Sequence, residues 1–567
     1  MMCRKMFFPA FVLSICMAQH LPAQTPVTGA ALRQLNEEKE DDPYLPNTEH
    51  LAQPAYHYTN AAERGEGQTI IYTNQVNIDA EGNDMLNDAG NEPSIAVNPL
   101  NPDQIVIGWR QFDNIASNFR QAGWSYTTDG GTTWTFPGRI EEGIFRSDPV
   151  LDFTADGTFY YNSLSVTPDF VCKVFASDDG GASWNSGTDA GGGDKQWMTV
   201  DRSGGVGDGN IYAFWTLAYS SCLPGSFIRS EDENTSYDDC TGLPGDPYFG
   251  TLDVDVHGDL YIAGISDDYS GFILLHSANA QEEGSDIVWD DPVPVDLQGT
   301  ITGWNSVNPE GLFGQTNIAI DRSGTFLTGG NIYILASVQP YGSFDGADVM
   351  FARSTDGGLS FEPAIRINDD PSDENVQWLG TMSVAPNGRI DIVWLDTRDS
   401  PGSDNSALYY SYSMDGGETF SANEKLSDIF DPHVGYPSQN KMGDYFDMVS
   451  DDTGAHLAWA NTLNGGEDVY HSYIIPYTEP TVGITQHIQS SVFVYPDPND
   501  GICTISGMVP GSRMHVYAAT GQCIYSSATT DETETMDLRD AADGLYLIEV
   551  VSPDGKVTTC KMVKRQW

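Results

Sequence analysis

Between Thr69 and about Tyr477 the chain alternates apolar and polar residues in short runs, and one such run returns seven times. The copies are PSIAVNP from Pro93, PVLDFTADG from Pro149, WMTVDRSG from Trp197, TLDVDVHG from Thr251, TNIAIDRSG from Thr316, TMSVAPNG from Thr381 and YFDMVSDDTG from Tyr445. Alternation over this length, closed in most copies by a Gly-containing turn, predicts a β-strand with one buried face. A more continuously apolar run follows each: QIVIGWR (104–110), TFYYNSL (158–164), NIYAFWT (210–216), DLYIAGI (259–265), NIYILAS (331–337), RIDIVWLD (389–396) and AHLAWAN (455–461). Seven units of roughly 50–65 residues, each with room for four short strands, predict an all-β seven-bladed propeller over 69–477. Unit seven stops after its third strand, DVYHSYIIPY (468–477), and QTIIYTNQVNI (68–78) stands before unit one with the pattern of an outer strand. That strand is expected to complete blade seven and remove the open edges.

In units one, two, five and six the third strand runs into a common turn: TTDGGTTW (127–134), SDDGGASW (177–184), STDGGLSF (354–361) and SMDGGETF (413–420). Asp129, Asp179, Asp356 and Asp415 hold one position in it, where a carboxylate can accept backbone N–H bonds while the glycines take positive φ. Degraded copies are expected at Ser230–Tyr237 and near Glu283–Trp289. The motif resembles the Asp-box (BNR) repeat of bacterial neuraminidase-type propellers, which implies a sialidase-like exported protein. Sialidases hold a sialic carboxylate with three arginines, use a Tyr/Glu nucleophile pair and an Asp acid/base. This chain departs from that pattern. It has seven units rather than six blades, no Arg-Ile-Pro near the domain start (Gly138-Arg139-Ile140-Glu141 follows a turn), and no matching Tyr/Glu pair.

The flanks carry targeting information. Arg4 and Lys5, the apolar run Phe7–Met17 and Leu21-Pro22-Ala23 predict a signal peptide over 1–23. Residues 24–68 are polar and acidic and predict a mostly disordered leader. A linker (478–489) precedes short alternating strands and Gly turns over 490–567, which predict a small C-terminal β-sandwich. In it YPDPNDG (495–501), GLYLIEV (544–550) and KMVKR (561–565) resemble the sorting domain of type IX secretion cargo. The resemblance implies partnership with that machinery, passage through the periplasm, and a secreted or outer-membrane surface location. No later segment is long enough to cross a bilayer. Export permits disulfides, and Cys222 with Cys240 is the first candidate pair.

Charge narrows the ligands. With 81 acidic and 26 basic residues the formal net charge is −55, which repels nucleic acid and anionic membrane and suits a salt-rich medium.

Candidate chemistry follows from propeller geometry: residues just before the inner strands and at the ends of the second strands should meet at one mouth. Five of the few basic residues fall there: Arg110, Arg146, Lys195, Arg398 and Lys441. Guanidinium groups around a concave mouth would hold the carboxylate or sulfate of an acidic extracellular glycan. Trp378 would stack on a sugar face, and Glu92, Asp148, Asp396 and Asp444 supply carboxylates for glycoside hydrolysis. Two alternatives stand beside this. The same cations can simply neutralise their acidic neighbours in a non-catalytic glycan- or protein-binding propeller, or Tyr445 or His433 can act as base in a uronate lyase. No cofactor is required and no zinc, phosphate-loop or EF-hand spacing occurs, although Asp369-Asp370-Pro371-Ser372-Asp373-Glu374 offers oxygen ligands to calcium.

Overall fold

Each alternating run forms a strand and pairs with the apolar run after it, giving seven consecutive antiparallel sheets in a computed structural model. It describes residues 42–62, 68–166, 170–268, 271–301, 305–325, 328–342, 346–372, 374–477, 492–495, 499, 501–553 and 557–565. The predicted signal peptide and the linker lie outside these. Sheets one, two, four and six are four-stranded meanders that open with Ala89–Val97, Ser147–Phe153, Tyr248–Val254 and Gln377–Val384. Sheet three opens with Trp197–Val200 and has three strands; a single bridge from Phe227 to Thr241 stands where a fourth would lie, beside the Cys222–Cys240 disulfide. Sheet five opens with Asn317–Ile320, and its second strand Ile332–Pro340 also pairs with Gly299–Thr300.

Sheet seven draws on both ends of the repeat region. Asp447–Ser450, Ala455–Asn461 and Asp468–Ile475 are joined by Ile70–Gln75, with Ile70 opposite Ile475 and Gln75 opposite Tyr470. Each opening strand lies against those of the sheets before and after it, and that of sheet seven lies against that of sheet one. Between sheets the packing is aromatic and aliphatic: Trp109, Trp378, Trp394 and Trp459 are fully buried.

The leader is more ordered than its composition predicts. His57–Thr59 extends sheet seven, and Ala52–Pro54 pairs with Asn83–Met85. Amides do this work where hydrophobic residues are few: Asn60 Nδ2 donates to Thr69 O at 3.0 Å, and Gln53 Nε2 to Asp84 at 2.7 Å.

The four Asp turns share one hydrogen-bond set. In the first, Thr127 Oγ1 and Thr133 N donate to Asp129 Oδ1 at 2.7 and 2.9 Å, and Thr133 Oγ1 to Oδ2 at 2.7 Å. Asp179, Asp356 and Asp415 accept the equivalent bonds. Sheet three keeps them on Asp232, with Glu233 and Asn234 taking positive φ in place of the glycines. In sheet four the degraded turn starts earlier than the sequence suggests: Asn279 replaces the Asp, bonded by Ser277 Oγ at 3.2 Å and Val288 N at 2.8 Å.

The C-terminal residues form a three-stranded sheet (Phe493–Tyr495, Ile502–Ser506, Glu534–Asp537) and a four-stranded one (Cys523–Ala528, Arg513–Ala518, Gly544–Val551, Val557–Lys564). Val494, Ile505, Met514, Ile548 and Met562 fill the space between them. Cys503, Cys523 and Cys560 form no disulfide there, and Cys172 is a free buried thiol.

Candidate functional site

A residue near the start of, or shortly before, every opening strand has positive φ: Glu92 at 49°, Asp148 at 47°, Lys195 at 58°, Phe249 at 53° and Leu379 at 53°, with Gly314 and Gly443 in the other two sheets. In sheets one, two, four and six the register against the second strand slips at this point. A bulge there re-aims the side chain away from the normal in-and-out alternation. For a non-glycine residue this backbone costs on the order of 1–3 kcal/mol, so the strain is concentrated where the sheets meet. A Cβ at Gly443 would lie 2.5 Å from Glu92 Cγ, which excludes any larger residue at that approach.

Sheets one, two, three and seven thereby bring their charges together. Arg110 Nε lies 3.1 Å from Glu92 Oε2, and Lys441 Nζ 3.2 Å from Glu92 Oε1. Lys441 and Lys195 both reach Asp444 Oδ2 at 2.6 Å. Lys195 is also 3.7 Å from Asp194 and 4.0 Å from Asp148. The Glu92, Asp148, Asp194 and Asp444 side chains are 0% exposed. The segment before sheet five lies across this cluster. Leu312 N donates to Asp444 Oδ1 at 2.8 Å, and Asn308, itself fully buried, donates to Gly443 O and accepts from Met442 N. Phe249, Phe313 and Leu379, at or near the corresponding positions of sheets four, five and six, are buried and apolar.

The electrostatics are those of a closed, self-compensating network. Burial pushes the Glu92 carboxyl up to about 7 against the pull of Arg110 and Lys441. Burial would also raise Asp444, but Lys195 and Lys441 outweigh it and hold that carboxyl well below the usual range. Lys195 is driven the opposite way from simple burial by Asp194, Asp444 and Asp148, which hold it well above an ordinary lysine. Glu92 itself is 0% exposed.

Several predicted site residues stand elsewhere. Arg146 stacks over Phe175 and bonds Glu141 rather than Asp148. Arg398 bonds Asp396 and Asp369 and stacks on Tyr409 at 4.3 Å. Arg110, Arg146 and Arg398 thus serve different carboxylates and form no common clamp. Asp396 accepts from Arg398, from Trp394 Nε1 at 2.8 Å and from Gln377 Nε2 at 3.2 Å. Trp378 is 0% exposed and donates to Ser406 Oγ, so it packs in the core and offers no face to a sugar. Tyr445 is buried with its hydroxyl donating to Pro149 O at 2.7 Å, and His433 bonds Ser306 O, so the two candidate lyase bases share no site. In the acidic turn, Asp369 is taken by Arg398, and Asp370 by Asn368 and Asn375.

Two members of the buried network escape the sequence rule. Arg120 is fully buried, 4.5 Å over the Phe145 ring, and burial lowers it to about 10 against the pull of Asp148, Asp194 and Asp444. Glu467 accepts from Asn91 Nδ2 at 2.9 Å, and burial holds its carboxyl well above the usual range. Each directly precedes a third strand, Gln121–Thr127 and Asp468–Ile475, and that position would have identified them.

An accessible groove of 430 Å³ lies instead where the outer strands of sheet seven meet the turn of sheet one. His57, Tyr58, Tyr72, Asn74, His471 and Tyr473 line it with Gly130–Thr132, and no Lys, Arg, Asp or Glu does. Tyr72 is 41% exposed. His471 packs on Gly131 and stacks with His456, and Asn74 Nδ2 donates to Gly131 O at 2.8 Å, which fixes the groove floor.

No curated protein matches this sequence. Among solved structures the chain is similar to a protein of unknown function from Dyadobacter fermentans (14% identity, 73% of this chain and 99% of that one, TM-score 0.41). It is also similar to the GH93 α-L-arabinofuranosidase of Fusarium graminearum (13% identity, 68% and 93%, TM-score 0.38). A third likeness is to PorZ, a surface component of the type-IX secretion system of Porphyromonas gingivalis (13% identity, 88% and 74%, TM-score 0.29). At such scores these likenesses carry no argument about function. Residues 493–565 do match a family, the secretion system C-terminal sorting domain, and the chain is therefore cargo of type IX secretion, delivered to the cell surface or the medium.

Proposed function

We propose that residues 69–477 form a closed seven-bladed Asp-box propeller that is displayed outside the cell and binds a glycan without cleaving it. The cyclic contact of the seven opening strands supports the ring, and the joining of Ile70–Gln75 to sheet seven supports its closure. The observation that carries the non-catalytic reading is the state of the central carboxylates: Glu92 and Asp444 are fully buried and each is ion-paired with two cations. A hydrolase needs two carboxyl groups facing one bond in an open cleft. The ligand face is the groove of Tyr58, Tyr72 and Tyr473. Aromatic faces pack against the C–H faces of sugars, and the absence of charged side chains among the lining residues favours a neutral glycan over an acidic one.

The test uses the full chain on sialylated, uronate-rich, sulfated and neutral glycans, with product release and column retention measured together. Expected are no release from any of them, and retention on a neutral glycan that Tyr72→Ala removes. Release of reducing ends or unsaturated uronate that Glu92→Gln abolishes would overturn the proposal in favour of an enzyme.

A further inference from the structure

Asp84, Asp88 and Asp468 meet where the N-terminal segment joins sheets one and seven. One carboxylate oxygen from each lies within 4.8 Å of the other two, and the three residues are 1%, 5% and 1% exposed. Asp84 sits on Asn83–Met85, Asp88 directly before the opening strand of sheet one, and Asp468 at the start of the third strand of sheet seven. No cationic side chain pairs with any of them among the described residues, and Arg139, the basic residue that most influences Asp88, is bonded to Asp113.

What surrounds them is a shell of side-chain amides. Gln53 and Gln75 each donate to Asp84 at 2.7 Å and Asn464 does so at 2.9 Å. Gln111 donates to Asp88 Oδ2 at 3.0 Å, and Asn77 to Asp468 Oδ1 at 2.7 Å. Amide N–H groups aimed at carboxylate oxygens favour and orient the ionised form, as the outer shell of a metal site does. Two oxygens are left over: Asp88 Oδ1 and Asp468 Oδ2 are buried with no hydrogen-bond partner. Three buried carboxylates repel one another when ionised, and a cation between them would relieve that repulsion.

The geometry points to a divalent cation held by Asp84, Asp88 and Asp468, and we infer that it is calcium. Calcium takes oxygen ligands at about 2.3–2.6 Å, so two oxygens on one ion stand at most about 4.6–5.2 Å apart, a limit the three carboxylates meet with oxygens all within 4.8 Å of one another. Magnesium demands about 2.0–2.1 Å and a regular octahedron, and zinc prefers nitrogen and sulfur. Gly466, whose added Cβ would stand 3.3 Å from Asp468 Oδ2, leaves room beside the site. Such an ion would tie Asn83–Met85, with which the leader strand Ala52–Pro54 pairs, to sheets one and seven. Extracellular modules hold calcium with Kd of about 10⁻⁴–10⁻³ M, so the tie would tighten only after export.

The experiment is thermal unfolding of the chelator-stripped full chain at constant ionic strength, titrated with calcium or magnesium, beside terbium luminescence. Expected are a saturable rise in Tm on the order of a few degrees with calcium, a much smaller one with magnesium, and terbium emission that calcium displaces. Asp468→Asn and Asp88→Asn should each lose the calcium-dependent rise, and Asp369→Asn, in the separate acidic turn, should keep it. A Tm that calcium and magnesium leave equal would overturn the inference, as would a calcium response retained in whichever of the two triad variants folds.

Discussion

Asp444 shows how little freedom the buried centre has. Its carboxylate bonds two ammonium groups at 2.6 Å and a backbone N–H at 2.8 Å, all away from water. Asp444→Asn leaves Lys195 and Lys441 under-compensated, and the expected loss is about 3–5 kcal/mol of stability in denaturant unfolding, far beyond an exposed pair. The convergence of Glu92, Asp148, Lys195, Lys441 and Asp444 was legible in the sequence, because position relative to the opening strand determines it. Whether they are open or sealed was not. That depends on the segment around Asn308–Leu312, which precedes sheet five and carries no pattern that announces a plug. Arg146 was misplaced for a different reason. The bulge at Asp148 breaks the alternation between them, so neighbours two positions apart lead to different partners.

The opening strands pair with only one neighbour in their own sheet, so their other edge must find acceptors elsewhere. Side chains of the adjoining sheet supply them. Asp447 Oδ2 accepts from Ile95 N at 3.0 Å, Ser94 Oγ from Leu151 N at 2.9 Å, Asp152 Oδ2 from Val200 N at 2.7 Å and Asp253 Oδ2 from Ile320 N at 2.9 Å. These polar residues interrupt the apolar runs PSIAV, PVLDF, TLDVD and YFDMV, and by pattern alone they look like solvent-facing positions. Asp152→Ala strands the buried Val200 N–H and frees Arg202, and about 1–3 kcal/mol should be lost in thermal or urea unfolding. The alternation gave strand existence and order, but it does not identify these staples, because an inter-sheet staple and a surface residue have the same polarity.

Across the whole molecule the strongest influence is charge. A net −55 repels itself. Raising NaCl from about 10 mM to about 0.5 M should therefore raise Tm, where a protein near neutrality would respond weakly, and scanning calorimetry checks it. The sheet count and the N-terminal completion of sheet seven were readable from the repeat. The order in the leader was not, because it rests on amide side chains rather than on a hydrophobic period. That completing strand also sets a clock. Ile70 waits for Ile475, roughly 400 residues later, and contacts of such separation form late and slowly. An incomplete chain, whichever end it lacks, keeps a raw strand edge exposed. The sorting domain begins only after that partner has been made, so the export machinery meets its address label on a molecule that already holds both strands of the pair.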